Sequence, residues 1–142
     1  MNHPQGNTPK TISIADLDLS SASDTGHEFE VISPKTRKGL GVFITVLGDH
    51  SEKVTTFIRK HQNAKRREFA LSARKGRPSD DVDTVEDDEA FVVEACIVRV
   101  TGWRGLAEEF SEANARLLFT TNREIRRQVL EESANLANFT KV

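Results

Sequence analysis

Apolar and polar residues alternate along "EFEVISP", with Phe29 and Val31 on one side and Glu28 and Glu30 on the other. That period of two is what a strand with one buried face requires. The β-branched run "GVFITVLG" predicts a second strand, and "SPKTRKG" between them carries turn chemistry in Pro34 and Gly39. Together they predict a two-stranded hairpin.

Beyond Gly48 the pattern lengthens. Asp49 with Glu52 three positions on makes a capping-box arrangement, and a helix is expected over 51–75, until Gly76 and Pro78 end it. The run "EAFVVEACIVRV" is apolar nearly all round, with Asp87, Asp88 and Glu89 ahead of it. A helix stopped by Gly102 fits it, and so does a buried strand. Ser111 is placed to cap a short helix "EANARLLF", and Thr121 with Glu124 suggests a capping box for a last helix through Leu136. In that helix Ile125, Val129, Ser133 and Leu136 share a stripe, with Arg123, Arg126, Arg127, Glu131 and Glu132 on the solvated side. No heptad pattern continues long enough for a coiled coil.

The expected fold is therefore α+β and predominantly α-helical. A small N-terminal β-hairpin is followed by a long basic helix and a C-terminal helical part. A flexible arm at 1–27, with the alternating "ISIADLDL" as its apolar segment, precedes a single domain at 28–142, which holds an acidic linker near 76–87. The C-terminal part should pack around the only tryptophan, Trp103, with Phe110, Leu117, Leu118, Ile125 and Val129 as core anchors or partner contacts.

Composition narrows the chemistry. The 142 residues are 30% charged yet carry a net charge of only −2, so no global field favours nucleic acid or an anionic membrane. No segment offers the ~20 apolar residues of a membrane span. One cysteine, Cys96, excludes an intrachain disulfide framework, and a reducing cytoplasm is expected. The four histidines are scattered, without paired metal-ligand spacing. Neither "KGLGVF" nor "TGWRG" has phosphate-loop spacing, and "SDDVDTVEDDE" lacks the central glycine of a calcium loop. No catalytic, cofactor-binding or metal-ligating residue is assigned, and an enzyme is not expected. Charge is instead segregated: a helix with Arg59, Lys60, Arg66 and Arg67 as candidate electrostatic contacts, then an acidic run. The basic helix allows a nucleic-acid-binding regulator as an alternative. The absence of interleaved aromatics and the acid that follows argue against it.

The order of these features resembles a known family. The "SPKT..G.G..ITVLG" block with Asp49 and Ser51 after it, the "V.GW.G" turn, the "FSE.NA..L" helix start and the closing "R.Q......ANF" pattern are similar to the tail assembly chaperones of long-tailed bacteriophages and prophages. The resemblance spans Phe29 to Phe139 and departs between Trp103 and Phe110, where "RGLAEEF" is shorter and more charged than the family's loop. It implies a non-enzymatic protein of the host bacterial cytoplasm that binds the tape measure protein, helps recruit tail tube subunits and is absent from the mature virion; separately, the blocks of opposite charge allow a homo-oligomer in which the basic helix of one subunit meets the acidic linker of the next. A minor structural tail component is the other phage reading.

Overall fold

The computed structural model describes residues 11–74 and 85–142. The first ten residues of the expected arm, and most of the expected acidic linker, lie outside them. After a short 3-10 turn at Ile14–Leu17 come α1 (Ser20–Thr25), β1 (His27–Ile32), β2 (Gly39–Val46) and α2 (Glu52–Arg74). Then follow α3 (Val85–Arg99), β3 (Val100–Arg104), α4 (Glu112–Thr121), α5 (Arg123–Ala134) and a closing 3-10 turn at Leu136–Asn138. The fold is α+β and mostly helical, as the pattern predicts.

The hairpin forms as expected. Phe29 and Val31 are buried, while Glu28 is exposed and Glu30 half-buried on the other side of the strand. The turn between the strands closes on Ser33 and Lys38, with Arg37 in the left-handed region at φ 63°. The sheet, however, has three antiparallel strands in the order β1-β2-β3. Gly102 does not stop a helix. α3 ends at Arg99, and Val100–Arg104 pairs along β2, with Trp103 opposite Ile44. The β-branched Val98, Val100 and Thr101 tolerate extended backbone, and the open edge of β2 supplies hydrogen-bond partners that continuing the helix would not. Gly105, at φ 94°, turns the chain beneath β2, and a Cβ there would lie 2.1 Å from the carbonyl oxygen of Gly41.

One face of the sheet meets α3, α4 and α5. Their shared core is Phe29, Val31, Ile44, Val46, Val93, Cys96, Val100, Ala115, Phe119, Val129 and Phe139. On the opposite face Arg104 spans β2 to reach Glu28 at 2.9 Å, and its guanidinium lies 3.9 Å from the centroid of the Phe43 ring.

Several expected end signals are reassigned. Ser51, not Asp49, caps α2: its hydroxyl accepts from the Val54 amide at 3.2 Å, and Asp24 of α1 accepts from the Glu52 amide at 2.8 Å. Thr121 does not open α5. It is the last residue of α4, donating to the Leu117 carbonyl, and Asn122 stands between the two helices. Ser111 does cap α4, accepting from the Asn114 amide at 3.0 Å. Val85, Glu86 and Asp87, assigned to the linker, form the first turn of α3, where carboxylates suit the helix dipole. The arm, expected to run to His27, holds a helix from Ser20, with Ser23 buried against Gly48. Ile12, Ile14 and Leu17 of the alternating segment stay more than half exposed.

Freed from capping, Asp49 takes a larger role. Its Oδ1 accepts from Arg99 Nε at 3.1 Å and from the Ser133 hydroxyl at 2.9 Å, and Arg99 Nη2 lies 3.1 Å from the same oxygen. Arg99 also donates to the Ala95 carbonyl at 2.7 Å. The β2–α2 connection, α3 and α5 thus meet at one charged group. An Asp49→Ala protein is expected to lose about 2 kcal/mol in chemical denaturation. That is less than the ~3–5 kcal/mol of a fully buried pair because the carboxylate is 39% exposed. Asp49→Ala with Arg99→Met should recover part of the loss.

Candidate functional site

Two adjoining grooves open along α2. One, of about 620 Å³, is lined by Asp24, Glu52, Lys53, Thr56, Phe57, Lys60 and Val98. The second, of about 560 Å³, continues from Lys53, Phe57 and Val98 past Ile97, Val100 and Thr101 to Phe110, Glu112 and Ala115. Its floor includes β3, which is an edge strand of the sheet.

The walls follow from local sequence. Phe57 stacks on Phe91 at 5.6 Å, and Phe91 also meets His61 at 4.0 Å, so three rings hold α2 against α3. Above this clasp α2 runs on with exposed residues, Phe69 at 64% and Leu71 at 48% among them. At the other end Trp103 meets Phe110 edge-on, with ring centroids 5.0 Å apart, and its Nε1 donates to the Glu108 carbonyl at 2.9 Å. That hydrogen bond holds the loop after β3 and sets Phe110 at the mouth of the groove.

The sequence-predicted anchors therefore separate. Val129 is fully buried, and Trp103, Leu118 and Ile125 are partly buried against the core. Phe110, 39% exposed, and Leu117, 59% exposed, are surface positions instead. Ala115 and Phe119 occupy the inner side of α4, and a short helix cannot turn Leu117 inward at the same time. Arg126, expected in solvent, is buried. It donates to Glu89 at 2.8 Å, and the Arg126 carbonyl faces the Cys96 sulfur at 3.8 Å. Leu136, expected on the packing stripe, is 47% exposed because α5 ends at Ala134. Arg59, Lys60, Arg66 and Arg67 are all exposed on α2, and of these Lys60 lines a groove.

Phe57, Ile97 and Val98 become groove walls only through the packing of α2 against α3, which no local pattern signals. Nor does one signal the role of Gln128, whose side chain accepts from the Ile32 amide at 2.9 Å and donates to the Ile32 carbonyl at 2.8 Å, so that the free edge of β1 is closed there.

Among the described residues no group of three or more His, Cys, Asp or Glu could hold a metal, and no helix is long and apolar enough to cross a membrane. Burial pushes the Cys96 thiol up to about 11, against the pull of Arg99 and Arg126, which favours the neutral thiol at neutral pH. What the surface offers is an open groove of mixed polarity. No family model, curated protein or solved structure matches the chain.

The surface carboxylates give the fold an acid limit. Hydrogen bonds from Arg127 and then Gln128 lower Glu124 to about 2, and Arg104 and Arg126 likewise lower Glu28 and Glu89. A carboxyl whose folded value is depressed stabilises the fold above its unfolded value and loses that contribution as pH falls through the folded one. The thermal midpoint is expected to drop as pH falls from 4.5 to about 2. Glu124→Gln should flatten part of that fall, and salt should shrink the difference because the Glu124–Arg127 pair is exposed.

Proposed function

We propose that this chain is a tail assembly chaperone of a long-tailed bacteriophage or prophage. It binds the tape measure protein in the host cytoplasm, helps bring tail tube subunits to it, and is left out of the finished virion. The observation that carries the reading, beside the sequence resemblance, is the open groove from Phe57 through Ile97 and Val98 to Phe110, in which these apolar side chains alternate with Lys53, Glu94, Thr101 and Glu112.

A client that is long, helical and prone to aggregate needs a holder that covers apolar stripes and then releases them. A shallow groove suits this better than an enclosed pocket. Lys53, Glu94 and Glu112 at the rim can set register and salt sensitivity while adding little net affinity.

Co-expression with fragments of the tape measure protein tests the reading. Wild-type chain is expected to keep at least one fragment soluble and to co-purify with it. Phe110→Asp should lower recovery about tenfold, while Leu40→Asp, an exposed position on the hairpin, should not. Loss of the interaction in both variants, or abundant chain in purified particles, would favour a structural tail component instead.

A further inference from the structure

The α2 helix carries two interleaved rows of residues, each with a spacing of seven. Lys53, Lys60, Arg67 and Arg74 form one. Phe57, Ala64 and Leu71 form the other, offset by four, so that the rows lie side by side on one flank of the helix. We propose that this flank is a docking strip for an acidic amphipathic helix, whose carboxylates oppose the basic row and whose apolar side chains, also seven apart, cover Ala64 and Leu71 and reach the part of Phe57 that its stack on Phe91 leaves open to the groove. The proposal rests on the chaperone reading and names the chemistry of the client segment.

From Lys53 to Arg74 the strip is about 32 Å long at 1.5 Å per residue. Three heptads are too few for a coiled coil to form unaided, but they are enough to seat one helix against a scaffold. At 3.6 residues per turn the rows drift by about 20° per heptad, so the docked helix would cross with left-handed wrap.

The lower end is already built as a receptor. Lys53, Phe57 and Lys60 line the groove of about 620 Å³, in which Val98 forms part of the apolar lining. Farther along, Ala64, Arg67 and Leu71 are exposed, and Lys53, Lys60 and Arg67 make no ion pair among the described residues.

Charge decides the occupant. A second α2 set face to face would oppose four cations with four cations, which excludes self-pairing through this strip. Nucleic acid would meet the bases but leave Ala64 and Leu71 against phosphate and sugar, and the one ring of the row, Phe57, is already stacked on Phe91. An acidic helix satisfies both rows together.

Anisotropy of a fluorescein-labelled synthetic peptide tests this on the full chain. The peptide spans three heptads, with leucine facing the apolar row and glutamate facing the basic row. It is expected to bind at least about tenfold more tightly than a peptide of the same composition with the spacing scrambled. Arg67→Glu with Leu71→Ser should cost about tenfold without moving the thermal midpoint, both side chains being exposed, and a peptide with lysine in place of the single glutamate that faces position 67 should regain binding to Arg67→Glu. Equal binding of the scrambled peptide would overturn the proposal, leaving only nonspecific charge. Displacement of the peptide by a duplex oligonucleotide at lower concentration than by unlabelled peptide would overturn it in favour of nucleic acid. The two readings fail separately. Tape measure capture without peptide binding removes the strip but keeps the chaperone, whereas peptide binding without capture keeps the strip and removes the chaperone.

Discussion

The contact among Asp49, Arg99 and Ser133 decides where the parts of this domain sit. Arg99 is the last residue of α3 and the first step into β3, so its position sets both the end of a helix and the register of a strand. Its charge is removed from water and needs an anion, which Asp49 supplies from the segment between β2 and α2. Ser133 then ties α5 to the same oxygen and, through its hydroxyl, to the Leu47 carbonyl at 2.7 Å. The amide of Asp49 returns the link by donating to the Ser133 carbonyl at 3.0 Å. Few apolar residues are available for a core, and a polar junction of this kind lets three elements share one orientation.

From that junction follows an asymmetry of the sheet edges. On β1 the amide of Gln128 imitates a neighbouring strand at Ile32, and Arg127 and Glu124 stand beside it. On β3 the floor of the groove takes the place of such a guard. One edge of the sheet is thus guarded and the other opens into a groove, on the side where α2 extends beyond its aromatic clasp with Phe91.

The charges divide in the same way. Acidic and basic residues nearly cancel over the chain, yet ion pairs knit α3, α4 and α5 through Glu89, Glu94, Arg116 and Arg126, while α2 keeps exposed bases along its length. Fixed pairs within the folded body stabilise and orient. Exposed charge on a protruding helix contributes little to stability, and in general such charge acts on encounter rate and specificity more than on affinity.

How much of this was legible differs by element. The hairpin could be read because its alternation has a period of two and one face is buried. The cap at Ser111 could be read because a hydroxyl ahead of a helix has a local partner three residues on. These are local rules, and sequence by itself determined the α+β class, the hairpin, the long basic helix and the short capped one. Partners distant in sequence decided the rest. The run ending in "CIVRV" satisfies a helix and a strand equally, and only the unpaired edge of β2, more than fifty residues away, turned its end into β3. Asp49 and Thr121 both looked like caps, but a carboxylate at Asp49 gains more from a buried guanidinium than from a helix end, and α4 had space to run through Thr121. Arg126 was read as solvent-facing from its own helix, whereas Glu89 on another made its burial affordable. Tertiary structure decided these positions because the free energy of a buried charge or an open strand edge is set by what lies opposite, which no local spacing records.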